Sequence, residues 1–432
     1  MTAPATAVTG THQITDIGAL EILDSRGRPT PQVRVTLAGG IAAVAGVPSG
    51  ASTGSREAVE RRDGDQGRFR GLGVLGAVEA VNGEIAKRLT GYRWRDLAEI
   101  DAALIELDGT AGKERLGANA IVGVSMACAR ALAVAAGREL WEWLTPAGVA
   151  PRLPVPHFNV INGGVHAPNP LDFQEFMIAP LGAPTLAEAV RAGAEIYGAL
   201  RSLLAERGQV TSLGDEGGFA PQLTEPEEVL ALLVTAITAA GYTAGRDGVA
   251  IALDPASSEF RHADGRYHVA GQKLTSMEMV ERYAEITERF PVWLIEDGLA
   301  EDDWDGWAVL TERLGERVQL VGDDIFVTNP AIIADAISRR VANASLIKLN
   351  QIGTVTETLE AMATCRRGGY AQLVSHRSGE TTDSFIADLA VGSGCGELKA
   401  GAPARGERVA KYNRLLEIAA ARPDLPYGVP PA

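Results

Sequence analysis

Six short apolar runs in the second half of the chain each end on a residue able to bind a metal, a proton or an anion. They are VAIALD on Asp254, VWLIE on Glu296, VQLVGD on Asp323, SLIK on Lys348, AQLVSH on His376 and ELK on Lys399. Three carboxylates, two lysines and a histidine in one pocket would support proton transfer on an anionic substrate beside a bound cation. Asp254, Glu296 and Asp323 follow Val, Ile and Leu residues, where an unpaired buried charge is costly. A divalent cation removes that cost, and hard oxygen ligands select Mg2+ over zinc. A salt-bridged strand end explains any one of the three equally well; three in successive units favour the metal.

Lys348, in SLIKLNQIG, directly follows apolar residues. Beside Mg2+ and a second cation its pKa should fall below the usual value of about 10.4, which suits a general base. The alternative is a structural lysine paired with one of the carboxylates. SHRSGET sets His376, Arg377 and Ser378 together after a run, and arginine with neighbouring donors clamps phosphate. Lys399 adds charge opposite. GDEGGF carries Asp215 and Glu216 between glycines; an acid there could donate a proton, and a plain turn is the alternative. Two Gly-rich loops could cover the pocket: PSGASTG with Ser49, Ser52 and Thr53, and NGGVHAPNP with His166. Together these parts suggest removal of a proton next to a carboxylate and loss of a hydroxyl, on a small phosphorylated hydroxy acid.

One architecture brings such distant residues together. The runs recur at about one strand-plus-helix unit, roughly 25 residues, as in a (β/α)8 barrel whose strand C-termini ring one site. The first third lacks this rhythm. ALEILDSRG and TPQVRVTLAGGIAAVAGV read as strands joined by turns, followed by three segments of helical apolar spacing. The expected fold is α/β: an α+β N-terminal domain over residues 1–145 that carries a lid loop, then a TIM-type barrel over 150–432. The Pro-rich TPAGVAPRLPVPHF carries the chain across, and DLPYGVPPA reads as a frayed tail.

The 432 residues are 46% hydrophobic and 22% charged, with a formal net charge of -15. That balance argues against a nucleic-acid partner. Cys128, Cys365 and Cys395 lack metal-ligand spacing and fit a reduced, cytoplasmic compartment. MTAPATAVTGTH has neither the basic start nor the apolar centre of a secretory leader. The longest apolar helix is expected around VLALLVTAITAAG, opened by a Thr224–Glu227 capping box and short of a membrane span.

Over almost its whole length the chain resembles the enolase (phosphopyruvate hydratase) family. The resemblance is carried by LDSRG, VPSGASTG, EAVERRDGD, LGANAIVGVS, INGGVHA, DFQEFMIAP, GDEGGFAP, IEDGLAEDDWDGW, VGDDIFVTNP, KLNQIGT, SHRSGET and GAPARGERVAKYN. It implies Mg2+-dependent dehydration of 2-phospho-D-glycerate to phosphoenolpyruvate, a Lys or His base with one or two Mg2+ ions being the handed-down scheme of that superfamily. It also implies a barrel with an irregular, partly antiparallel start. Asp254, Glu296 and Asp323 correspond to ligands of the first Mg2+, and Ser52 of the lid to a ligand of the second. Lys348 corresponds to the base at C2 and Glu216 to the acid at the C3 hydroxyl, with Glu175 beside it and Gln174 nearby. His166 and His376 correspond to substrate-contacting histidines, Arg377 and Ser378 to the phosphate clamp, and Lys399 to the partner of the substrate carboxylate. A homodimer or an octamer is implied as well.

Against the family pattern, Arg28 and Pro31 replace Asn and Val, Val44 an arginine, Leu294 a serine and Ala400 a threonine. His157 and Phe158 fill a usually apolar position. None removes a catalytic group, but several lie one shell out, where residues orient ligands. The favoured reading is the glycolytic enzyme. The alternative is a paralog of specialised metabolism, such as carboxyphosphonoenolpyruvate synthase in phosphonate and phosphinate pathways.

Overall fold

The computed structural model describes residues 11–430. The first ten residues, which hold most of MTAPATAVTGTH, and the last two residues of the tail lie outside the described residues. The N-terminal region opens as an antiparallel meander of β1 (His12–Leu23), β2 (Pro29–Leu37) and β3 (Ala42–Gly46), with β4 (Arg93–Trp94) on the far edge. Val33, Val35 and Leu37 alternate inward along β2 and pack on the helix Ala118–Ala135. Gly123 permits that approach: a Cβ there would meet side-chain carbons of Val33 at 2.6 Å and Val47 at 2.9 Å.

That helix corrects the expectation for the longest apolar helix. It runs 18 residues at mean hydropathy 1.6, long and apolar enough to cross a membrane, and is 83% buried within the protein. Its low polarity reflects enclosure by the sheet and the neighbouring helices.

Eight strands close the barrel: β5 (Val155–Asn162), β6 (Glu175–Ala179), β7 (Ala250–Asp254), β10 (Val292–Glu296), β11 (Gln319–Gly322), β12 (Ala344–Ile347), β13 (Ala371–Ser375) and β14 (Glu397–Lys399). A small hairpin, β8 (Tyr267–Val269) and β9 (Gln272–Leu274), projects between β7 and β10. All barrel pairings are parallel except those of β6, which is antiparallel to both β5 and β7. All six apolar runs form barrel strands, and their chemical residues end the strand or follow it directly. Two helices, Leu186–Glu206 and Pro226–Ala239, follow β6 before the regular alternation begins. The two regions are tied by ion pairs such as Lys113–Glu357 at 2.9 Å and Arg130–Asp383 at 2.5 Å.

Two local expectations are overturned. The Thr224–Glu227 capping box does not form. Pro226 takes the first helical position behind Glu225, and both carboxylate oxygens of Glu227 accept from Arg282 instead. The C-terminal tail is not frayed over its described residues. Tyr427 bridges Leu153, its hydroxyl donates to the Pro180 carbonyl at 2.9 Å, and Arg152 donates to the carbonyls of Gly428 and Val429.

Candidate active site

The strand ends place the predicted residues around one opening at the barrel rim. Ser52, His166, Gln174, Glu175, Glu216, Asp254, Lys348, His376, Arg377, Ser378 and Lys399 line one small cavity. Glu296 and Asp323 join it through their lysine partners. Lys399 Nζ stands among the acids, 3.1 Å from Asp254 Oδ2, 2.7 Å from Glu296 Oε2 and 3.2 Å from Glu175 Oε2. Its ammonium thus occupies the centre of the carboxylate group rather than lying free for a substrate. Burial disfavours its charge, but Glu175, Glu296 and Asp254 hold its pKa well above the usual lysine value.

Lys348 Nζ donates to Asp323 Oδ2 at 2.5 Å. Burial works against the ammonium, yet the Asp323 charge leaves its pKa above the ordinary value. The expected depression is therefore absent as the site stands, because a carboxylate and not a cation is its nearest neighbour. Asp323 itself is held in place by Gln351, which donates to Oδ1 at 2.7 Å.

Glu175 and Glu216 are pushed apart in proton affinity. Burial and the Glu216 charge push Glu175 well above the carboxylate range. Glu216, despite equal burial, is held well below it by His376, His166 and Arg408. Asn159 donates to Glu216 Oε2 at 2.9 Å, and His376 Nε2 faces the same oxygen at 3.2 Å. Arg408 donates to His376 Nδ1. Since a guanidinium only donates, that contact leaves the imidazole proton on Nε2, toward Glu216. Burial pushes the His376 pKa down to about 3, so the ring is neutral at ordinary pH. Of the two acids in GDEGGF, Glu216 faces the pocket and Asp215 sits outside it.

Arg377 reaches the PSGASTG loop and Glu57 beyond it. Its guanidinium donates to both oxygens of Glu57 and to the Ser52 carbonyl at 3.0 Å, while the backbones of Ser49 and Gly379 pair in both directions. A Cβ on Gly50 would lie 2.0 Å from the Arg377 guanidinium and 2.9 Å from the Ser52 carbonyl, so a larger residue there would have to displace Arg377 from the loop. Ser378 Oγ accepts from Arg26 at 3.2 Å.

The strand-end rule missed Glu175 because β6 runs backwards: its first residue, not its last, reaches the rim, opposite Asp254. It also missed Asp297, whose two oxygens accept the backbone N–H groups of Asp323 and Asp324 at 2.8 and 2.9 Å. Asp297 takes the left-handed conformation at φ 41°, and its place directly after Glu296 was the available signal. Arg408, fully buried, also donates to the carbonyls of Arg377 and Ser378.

The departures fall in two places, the barrel and the N-terminal meander. His157 is stacked on Trp293 with ring centroids 5.5 Å apart, and Phe158 packs tilted against Tyr412 at 4.7 Å. Leu294 and Ala400 are fully buried nearby. Val44 and Arg28 are exposed on the meander, and Pro31 is buried in β2.

A closed barrel with one reversed strand and an acid-and-lysine rim, preceded by an α+β region, is the architecture of a TIM-barrel enzyme. Two family models cover it: "Enolase, N-terminal domain" over residues 14–144 and "Enolase, C-terminal TIM barrel domain" over residues 150–424. The chain belongs to the enolase family.

Proposed function

We propose that this protein is a Mg2+-dependent hydro-lyase that interconverts 2-phospho-D-glycerate and phosphoenolpyruvate, acting in glycolysis and gluconeogenesis as a cytoplasmic homodimer or octamer. The observation that carries the reading is the Lys399 ammonium seated among Asp254, Glu296 and Glu175, with Lys348 on Asp323. The carboxylates gather positive charge from these two lysines, and an all-oxygen set of this kind fits Mg2+. Asp254, Glu296 and Asp323 would hold the first ion, and Ser52 of the lid would help hold a second. When bound, Mg2+ supplies positive charge that relieves the hold of the acids on both lysines and offsets the charge developing on the substrate carboxylate.

The protein groups then have separate tasks. Lys348, once neutral, takes the C2 proton. The Glu175–Glu216 pair returns a proton to the departing C3 hydroxyl, with His376 and Asn159 fixing Glu216. Arg377 and Ser378 receive the phosphate, His166 and Gln174 line its approach, and the freed Lys399 meets the carboxylate. Closure of the Pro48–Gly54 loop keeps water out.

The test is growth of the enol product's ultraviolet absorbance from 2-phosphoglycerate and Mg2+, abolished by EDTA. Absence of turnover from folded protein would overturn the assignment. A second reading, a paralog such as carboxyphosphonoenolpyruvate synthase, is supported by the altered wall at His157, Leu294 and Ala400. Turnover of activated phosphonoformate in preference to 2-phosphoglycerate would select it.

A further inference from the structure

Val327 and Thr328, in the loop after β11, are consecutive, β-branched and both left-handed, at φ 44° and 54°. Residues of this shape avoid that region, and a pair persists only where its surroundings hold it. Thr328 is fully buried. Its Oγ accepts the Lys348 backbone N–H at 2.9 Å and donates to Gln351 Oε1 at 2.7 Å. The strained pair thus places one hydroxyl between the end of β12 and a buried amide.

Gln351, 1% exposed, stands in the single helical turn Leu349–Ile352 that follows Lys348. Its side-chain oxygen is committed to Thr328. Its side-chain nitrogen donates to Asp323 Oδ1 at 2.7 Å and to Glu57 Oε1 at 3.2 Å. Carboxylates only accept, so a flipped amide would set its oxygen against two others. Thr328 fixes the amide, and the amide fixes two acids from opposite ends of the chain.

Each acid leads to a different part of the site. Asp323 holds Lys348 and belongs to the carboxylates that suit Mg2+. Glu57 grips Arg377 with both oxygens, at 2.9 and 3.1 Å, and accepts the Gly54 N–H at the end of the PSGASTG loop at 3.2 Å. The Gln351 backbone carbonyl also accepts from Ala58 N at 2.8 Å. One residue therefore joins the barrel rim to the N-terminal region through side chain and backbone alike.

We propose that Gln351 is a positioning residue that couples the metal carboxylate Asp323 to the phosphate-binding Arg377 by way of Glu57, with Thr328 setting its amide. The coupling deepens the reading of Asp323 as an Mg2+ ligand and Arg377 as the phosphate clamp, and rests on it. Gln351 itself touches neither ion nor substrate. Loss of its two N–H donors releases both acids at once, so one substitution loosens two binding sites.

The test reads binding to the full-length protein by calorimetry. Mg2+ alone is one probe, and inorganic phosphate under saturating Mg2+ is the other. Gln351→Met keeps the length of the side chain and removes the donors. It is expected to weaken Mg2+ at least about tenfold and phosphate about fivefold, the worth of about one hydrogen bond. Thr328→Val, nearly the same shape, should reproduce both losses, whereas Thr328→Ser keeps the hydroxyl and should bind both as the wild type does. This second pair stands whether or not Gln351→Met folds. The Thr328→Val/Gln351→Met double variant should lose no more than either single one, because the two residues act in series. Weakening of only one ligand, additive losses in the double variant, or equal losses in Thr328→Ser and Thr328→Val would each overturn the coupling while leaving the proposed reaction standing. Wild-type phosphate affinity in Arg377→Ala would instead overturn the reading of the clamp, and the coupling with it.

Discussion

Replacing Glu397 by glutamine should stabilise the protein, and more so as pH rises. Glu397 lies in β14 two residues before Lys399, is 1% exposed and has no cationic partner. Gln319 donates to its Oε2 at 2.8 Å, and His157 Nε2 lies 3.8 Å from the same oxygen. His157 Nδ1 sits 3.2 Å from the Val155 carbonyl. A carbonyl only accepts, so the ring proton is on Nδ1 and Nε2 presents a lone pair to Glu397. Burial pushes the carboxyl up to about 8 from 4.5.

The sign follows from linkage. Below the unfolded value the acid is protonated in both states and costs nothing. As pH rises from about 4.5 to 8 the unfolded chain ionises while the folded one keeps its proton, so stability falls and then levels off. At about 1.36 kcal/mol per unit, the loss is about 3 kcal/mol at pH 7, nearly 5 kcal/mol above pH 8 and about 1 kcal/mol at pH 5. Glutamine keeps the shape, accepts from Gln319, and offers an N–H to His157 Nε2 with no charge to desolvate. Urea unfolding of both proteins at pH 5, 7 and 8 is the assay. A Glu397→Gln protein no more stable than wild type at pH 7–8, or a difference that does not change with pH, would refute the reasoning.

Other consequences concern the rim and the tail. Lys348→Ala should abolish solvent exchange of the C2 proton, measured by NMR in deuterated water, while calorimetric Mg2+ binding persists; normal exchange would remove Lys348 as the base. Glu216→Gln should lower dehydration by at least about a hundredfold and spare C2 exchange, and equal loss of both would argue against its role at the hydroxyl. Tyr427→Phe should cost about 1 kcal/mol in the same urea assay, through the Pro180 carbonyl it leaves unmet; no change would show the tail to be free in solution.

Much of the site was legible because strands of a parallel barrel all end on one rim. Val, Ile and Leu runs ending on Asp254, Glu296, Asp323, Lys348, His376 and Lys399 therefore specify a common location without any contact being known. The period of the runs specified the barrel, and the strand-like segments ALEILDSRG and TPQVRVTLAGGIAAVAGV the meander before it. Chain direction was the first thing these patterns could not show. Glu175 reaches the rim only because β6 is reversed, and a five-residue apolar run reads the same either way.

Local signals failed where a distant partner outcompeted them. Thr224 and Glu227 have capping-box spacing, but Arg282, 55 residues on, takes the Glu227 carboxylate. The tail composition suits a free end, yet Leu153 and Pro180 hold it.

The sequence by itself determined which residue types meet at the rim, because strand period and strand ends are local properties of the chain. Tertiary structure alone decided how their charges are shared. Lys399 sits among three acids and Lys348 on Asp323. Burial and the Glu216 charge raise the proton affinity of Glu175, while His376, His166 and Arg408 lower that of Glu216. Protonation depends on burial and on the few ångströms between groups far apart in sequence, and only the closed barrel fixes those distances.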